Sequence, residues 1–455
     1  MNRIYLIVVV ACLLLALATA PMASEERGWG LDVDDDGNVY MTCTVNDTRV
    51  VTVKYDPNGE IVWERTFSLG AFASAIEIDP YGDIVVMDDG AFGFVKYDPE
   101  GTEISSGGFY SIDRLWGESI CIDSGGNIYV AGMADVNEYF TRGDYLLVKY
   151  DGDGNVQWHQ TASGPNKYNL PLDLSIGGSD GIYMTGKGCY DYPCRGLTVK
   201  FASDGEVVWK ESIPDIDPYK SCLYSVVADD AGNVYDAGVY IDMAIIRKIG
   251  VDGTKEWEDT IRGGYPTTSF SDVIVDIDGG VIICGDSVDN LIQDRGEILV
   301  ARYDAEGNQT WLSTYNQEGE DFYDGAMQVA NDYLGNIYVS ARTRKGIESS
   351  ADYVLLKYNA DGDLLWAQTY DENGYEDLIR GLVIDNSNYI YVTGTSCLGS
   401  DYTLCDALTI KYDSDGNIVW KARYDYSDTH GDDDDDDDSA DDDDDDDDDD
   451  SGCCG

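Results

Sequence analysis

The chain has 455 residues, a formal charge of −59 and an apolar fraction of 43%. That length exceeds one compact layered domain and requires several domains or a repeat array. The charge excludes nucleic acid and anionic lipid surfaces as partners and favours cationic groups or divalent ions. Glycine is abundant (50), proline is scarce (10), and tyrosine (34) far outnumbers phenylalanine (9), a balance suited to short strands joined by tight turns.

In chain order, the first feature is an export signal. Arg3 precedes a nearly unbroken apolar run over residues 4–17, followed by small residues at Ala18, Thr19, Ala20 and Ala23. Cleavage after Ala23 is expected, since a cut after Ala20 would set Pro21 beside it, so residues 1–23 are read as a signal peptide. The run is short for a membrane span, and no later stretch is long and apolar enough for one. Val9-Val10-Ala11-Cys12 has the form of a lipidation box, but the apolar run continues past Cys12, which favours simple cleavage.

From residue 24 to 428 the chain repeats itself. One unit reads Cys121-Ile122-Asp123-Ser124-Gly125-Gly126-Asn127-Ile128-Tyr129-Val130, then Lys149-Tyr150-Asp151, then Gly154 and Trp158. Eight copies are marked by turns at Gly37-Asn38, Gly82-Asp83, Gly126-Asn127, Asp180-Gly181, Gly232-Asn233, Gly279-Gly280, Gly335-Asn336 and Ser387-Asn388. Trp63, Trp158, Trp209, Trp257, Trp311, Trp366 and Trp420 close seven of them, and the second copy has Ile104 instead. In each unit a short apolar strand meets a glycine-asparagine turn and a second strand. A variable loop leads to a third strand, and a second turn leads to a fourth ending at tryptophan. Four antiparallel strands per unit, repeated about every fifty residues, predict an all-β β-propeller of eight blades, or seven if the degraded second copy is an insertion.

These residues resemble the SBBP-type bacterial propeller repeat, with its Asp-x-x-Gly-Asn-x-Tyr-Val-x-Gly core and Lys-Tyr-Asp element, over about residues 28 to 426. The Asp56, Gly59 and Trp63 spacing is similar, more weakly, to the docking repeat of quinoprotein propellers. The resemblance implies a secreted or surface propeller and assigns no chemistry. Copy four departs from the pattern with Gly177 in place of the turn aspartate.

Catalytic signatures are scarce. The two histidines, His159 and His430, allow no histidine-rich metal cluster, and there is no nucleophile elbow, phosphate loop or dinucleotide fingerprint. Alternation along the first strand of each unit places Asp32, Glu77, Asp173 and Asp272 on the side facing a central channel, where oxygen ligands would suit Ca²⁺. Asp32 to Gly37 also opens like an EF-hand loop, but Cys43 stands where the bidentate glutamate belongs. The connections between fourth and first strands carry Tyr315, Asp321 and Tyr323, then Tyr370, Asp371, Tyr375 and Asp377, and form the expected binding face.

Eleven cysteines fall into groups. Cys189 with Cys194, and Cys397 with Cys405, occupy the same loop in copies four and eight and are expected to form local disulfides. Cys43, Cys121 and Cys284 lie on strands and read as buried thiols. Residues 429–455 are a poly-aspartate tail unable to bury apolar surface, holding seventeen aspartates in runs 432–438 and 441–450. Without those seventeen the charge is still −42. The tail ends Gly452-Cys453-Cys454-Gly455, and Cys453 or Cys454 would serve as a surface anchor. The expected function is a secreted or cell-surface, non-enzymatic binding or scaffold propeller, monomeric, with an extracellular protein or glycan as partner. The alternatives are an extracellular propeller enzyme acting on polysaccharide or using a quinone, and a structural surface-layer component.

Overall fold

The computed structural model describes residues 26–45, 49–67, 73–89, 92–109, 114–136, 143–164, 168–178, 181–189, 194–214, 221–289, 295–316, 322–345, 350–372, 374–399 and 405–425. The export signal, the acidic tail, Asp321, Cys453 and Cys454 lie outside these residues, as do the side chains of Cys189 and Tyr323.

Thirty-two strands form eight four-stranded sheets, each meandering in sequence order with antiparallel neighbours. The blades span 26–67, 73–108, 114–162, 168–212, 221–261, 267–315, 322–370 and 377–424. The second copy is therefore a true blade, and the ring has eight rather than seven. Among the described residues no helix is long and apolar enough to cross a membrane.

The repeat motif is a single network. In the first turn, the Gly37 N–H reaches the Asp34 carbonyl at 2.9 Å with Gly37 at φ +81°, the three-residue hairpin that needs a left-handed residue. The Asp34 carboxylate accepts from the Asn38 side chain (2.7 Å) and from the Tyr40 hydroxyl (3.0 Å), so the EF-hand-like opening is a hairpin whose aspartate is already engaged. Lys54 lies over the Tyr40 ring and donates to the Pro99 carbonyl of blade two at 2.8 Å. Trp63 donates its Nε1–H to the same carbonyl at 3.0 Å. Equivalent tryptophan bonds join every later seam with a tryptophan, including Trp420 to Pro57, which closes blade eight onto blade one.

Two motif positions shift by one residue from the sequence reading. Lys96 of blade two faces Ser105 across the strands, as Lys54 faces Trp63, so Ser105 and not Ile104 holds the tryptophan position. Ser105 keeps the bond, donating to the Gly152 carbonyl at 2.9 Å, while Ile104 is exposed. Beside it, Phe109 packs on His159 at 4.7 Å between ring centres, which gives this histidine a packing role at the seam. In blade eight, Asn388 rather than the preceding Ser387 takes the left-handed turn position, at φ +62°, an adjustment asparagine tolerates. In blade four, Gly177 supplies no turn carboxylate, and the Tyr183 hydroxyl donates instead to the Gly232 carbonyl of blade five at 2.8 Å.

The core is distributed between blades. Leu31, Ile76, Ile120, Leu174, Val226, Val273 and Val329 on the first strands are all buried. Buried ion pairs sit within blade two, where Lys96 binds Asp79 at 2.7 Å, and within blade five: Arg247 binds Asp236 through two bonds of 2.8 and 2.7 Å, and Thr198 of blade four donates to the same carboxylate at 2.7 Å. Cys43, Cys121, Cys222 and Cys284 are all buried.

Each tryptophan face lies on the second-turn glycine of the next blade. A Cβ on Gly307 would stand 2.6 Å from Trp257, and its φ is +88°. Gly307→Ala is expected to lower unfolding stability by about 1–3 kcal/mol, combining overpacking with left-handed strain. Gly82, at φ +89° with nothing near its Cβ position, isolates the backbone part, so Gly82→Ala should shift the denaturation midpoint less.

Candidate functional site

Two acidic regions were expected, the channel and the loop face. The channel carboxylates answer a problem common to all propellers: the first strand of each blade has a free edge whose N–H groups need partners. Asp32 accepts the Ile78 N–H of blade two at 2.8 Å, and Glu77 accepts the Ile122 N–H of blade three. Asp173 accepts the Val226 N–H at 2.8 Å, and Asp272 accepts the Val329 N–H at 2.9 Å. Each carboxylate thus ties its blade to the next.

They do not form one cage. Asp32 and Glu77 pair with Tyr40 and Val85, whereas Asp173 and Asp272 pair with Thr185 and Cys284, one side-chain level away. Every first strand carries a bulge, and Asp173 and Asp272 directly follow theirs, at Leu172 and Ser271. Ser225 connects this second pair, lying 3.1 Å from Asp173 and 2.9 Å from Asp272. Burial pushes Glu77 up to about 8, with the Asp32 charge adding and the Ile122 N–H opposing. Burial likewise raises Asp173 to about 7, against its bond from Val226 and with the Asp272 charge adding. Asp32 and Asp272 are also raised by burial.

The loop face holds the second region, at the junction of blades seven and eight. Asp352 stands near the start of blade seven's third strand (Ala351–Tyr358). Asp371 follows that blade's fourth strand (Leu364–Tyr370), and Asp377 opens blade eight's first strand (Asp377–Ile384). One ligand oxygen from each lies within 4.8 Å of the others, and this is the one such group of three found among the described residues. Asp371 is exposed, Asp352 half-buried, and Asp377 fully buried at 0% exposure.

The cations nearby are committed elsewhere. Glu372 takes Arg423 at 2.7 Å, Lys421 at 3.0 Å and the Tyr370 hydroxyl at 2.5 Å. Those bonds outweigh the burial that opposes them and hold Glu372 down at about 2. Arg423 also binds Asp406 at 2.7 Å. Burial raises Asp352 to about 7, with the Asp371 and Asp377 charges adding. Burial raises Asp377 to about 6, opposed by the Glu372 N–H and the Ser396 hydroxyl and reinforced by Asp371. The Cys397–Cys405 disulfide is formed and lies next to this site, and the Cys397 N–H donates to the Glu376 carbonyl at 2.9 Å. Cys194 is also disulfide-bonded.

The residues expected on the binding face thus divide. Asp371, Tyr375 and Asp377 meet at this junction, with Tyr375 half-buried. Tyr370 is a packing residue, its ring tilted against Tyr353 at 5.7 Å between centres. Tyr315 packs against the core between blades six and seven. Sequence reasoning missed Asp352, Glu372 and Arg423. Asp352 had a recurrent signal, because Asp144, Glu297 and Asp406 also stand near the start of a third strand.

The fold class is an eight-bladed β-propeller. Sqt1 from Saccharomyces cerevisiae is similar with a TM-score of 0.52 and 10% identity, covering 84% of this chain and 96% of that one. A virginiamycin B lyase from Staphylococcus aureus, with quinupristin, gives a TM-score of 0.47 and 12% identity over 70% of this chain and 92% of that one. The WD40 repeats of RRP9 give 0.44 and 12% over 70% and 87%. Only the Sqt1 likeness bears on the fold, and at 10% identity it bears on nothing else. No family model matches the chain, and no curated protein matches it by sequence.

The raised channel carboxylates set a pH dependence. A carboxyl whose folded pKa lies above its unfolded value stabilises most below the unfolded value, and the advantage is lost as pH rises through the folded value. For Glu77 that window runs from the ordinary carboxyl value of 4.5 up to about 8. Glu77→Gln, which can still accept the Ile122 N–H, should flatten the decline in stability across this window. Denaturation midpoints at a series of pH values will show the parent and variant curves converging at the acidic end; parallel curves would remove Glu77 as the titrating group.

Proposed function

We propose that this chain is a secreted or cell-surface, non-enzymatic binding propeller whose working surface is the loop face at the junction of blades seven and eight. The observation that carries this reading is the meeting of exposed Asp371, half-buried Tyr375 and buried Asp377 on one connection. An aromatic edge beside carboxylate acceptors suits a ligand rich in hydroxyl or amino groups, and the net charge of −59 disfavours anionic ones. A glycan with free hydroxyls or amines has that chemistry. The export-like N-terminus, the Cys397–Cys405 disulfide and the likeness of the repeat to SBBP-type surface propellers support an extracellular setting.

The test is affinity electrophoresis of the full chain through gels holding a neutral glucan or an amino polysaccharide. Retardation in at least one gel, abolished by combined Asp371→Ala and Tyr375→Ala, is expected. Unchanged mobility in all gels, or equal retardation of the variant, overturns the reading.

A second reading has its own observation. Asp352, raised to about 7, stands beside exposed Asp371, an arrangement suited to a proton-donating acid next to a carboxylate. Under it the chain is an extracellular enzyme cutting the same polysaccharides. Release of reducing ends, lost in Asp352→Asn, would favour it over binding alone.

A further inference from the structure

The acid near the start of a third strand recurs, and its partners show what is unusual at one seam. In blade three, Asp144 accepts the Ser163 hydroxyl at 3.0 Å and the Asn169 amide at 3.1 Å. In blade six, Glu297 accepts the Gly264 N–H at 2.7 Å. In blade eight, Asp406 takes Arg423 at 2.7 Å. Each acid therefore receives donors, those of Asp144 from the connection and strand that follow its own blade.

Blade seven breaks this rule. Asp377 stands where blade four has Asn169, near the start of the first strand of the following blade, so an acid replaces the amide donor. Asp352 consequently faces two further carboxylates, Asp371 and Asp377, with ligand oxygens within 4.8 Å of one another. Asp377 Oδ2 accepts the Glu372 N–H at 2.8 Å, but its Oδ1 is buried and has no hydrogen-bond partner. Asp352 Oδ1 is likewise buried and unpartnered. Two buried acceptors without donors in one cluster are costly unless something positive sits between them.

We propose that Asp352, Asp371 and Asp377 form a Ca²⁺ site that pins the connection between blades seven and eight. The donors are all hard carboxylate oxygens, and an ion with ligand distances of about 2.3–2.6 Å spans oxygens up to 4.8 Å apart. Mg²⁺, at about 2.0–2.1 Å in a near-ideal octahedron, fits that span less well. Exposed Asp371 gives the ion a route from solvent, and the Gly374 N–H fixes that side chain by donating to its Oδ1 at 2.7 Å. The opposite wall is held by the Cys397–Cys405 disulfide next to Ser396. The site lies on the surface assigned to binding and rests on that reading only for its use, because the experiment below contains no glycan.

Thermal unfolding of the full chain is followed in EDTA and in CaCl₂ at about 5 mM, above the ~10⁻⁴–10⁻³ M dissociation constants of extracellular sites. The acidic tail is present in every variant, so its contribution cancels in the comparison. The expected result is a rise in Tm with Ca²⁺ that is lost in Asp352→Asn and reduced in Asp371→Asn, with an apparent Kd weakened about tenfold or more. Exposed Asp371→Asn keeps the test open if a buried variant fails to fold. Asp32→Asn, in the channel, should retain the full Ca²⁺ response. No rise in the parent chain, an equal rise in Asp371→Asn, or an equal rise with Mg²⁺ overturns the assignment. Failure of glycan retardation with an intact Ca²⁺ response would overturn the binding reading and leave this site standing.

Discussion

The ring depends on one contact repeated at five of its seams: an indole N–H and a lysine ammonium directed at the same main-chain carbonyl of the next blade. The carbonyl belongs to a turn whose glycine, held at positive φ, leaves room for the indole face. The lysine is positioned by the tyrosine beneath it, and that tyrosine is fixed in blade one by the turn aspartate. Asp, Asn, Tyr, Lys, Trp and the following Gly are therefore members of one chain of contacts that crosses from blade to blade. Substituting any of them disturbs a seam as well as a blade.

That economy explains why the fold was legible from sequence and where reading failed. Repetition exposed the strand order and the blade number, since each copy must satisfy the same neighbours. Misreading came where one residue performs another's task. Ser105 makes the tryptophan's hydrogen bond without the tryptophan's size, so residue type pointed to the more apolar Ile104 instead. Asn388 fills a glycine position because its short polar side chain tolerates that backbone. Alternation grouped Asp32, Glu77, Asp173 and Asp272 on the first strands, which divide them between two levels. It gave no sign that they bind main-chain amides of the next blade, because that bond depends on the angle between sheets.

The junction of blades seven and eight was half legible. Its connection stood out through Tyr370, Asp371, Tyr375 and Asp377, which are close in sequence. Asp352 comes from a strand two elements earlier, and only the sheet brings it alongside. The same geometry separates two kinds of acidity. Asp32, Glu77, Asp173 and Asp272 are engaged by N–H donors, whereas Asp352 and Asp377 each retain an oxygen without one. Total charge cannot distinguish these cases, since every carboxylate contributes equally to it.

Every sheet is built from one continuous stretch of chain, and no strand is exchanged across the closing seam. Among the described residues, blade eight meets blade one through Trp420 on the Pro57 carbonyl, Tyr424 on Glu64 and Asn386 on Asp35. The closing seam thus uses the same tryptophan-to-turn contact as the other tryptophan-bearing seams, and the ring has no privileged origin. Circular permutation at a connection between blades would cut no sheet and leave the order of neighbours intact, so the architecture is a closed cycle on which the linear sequence happens to start at one point.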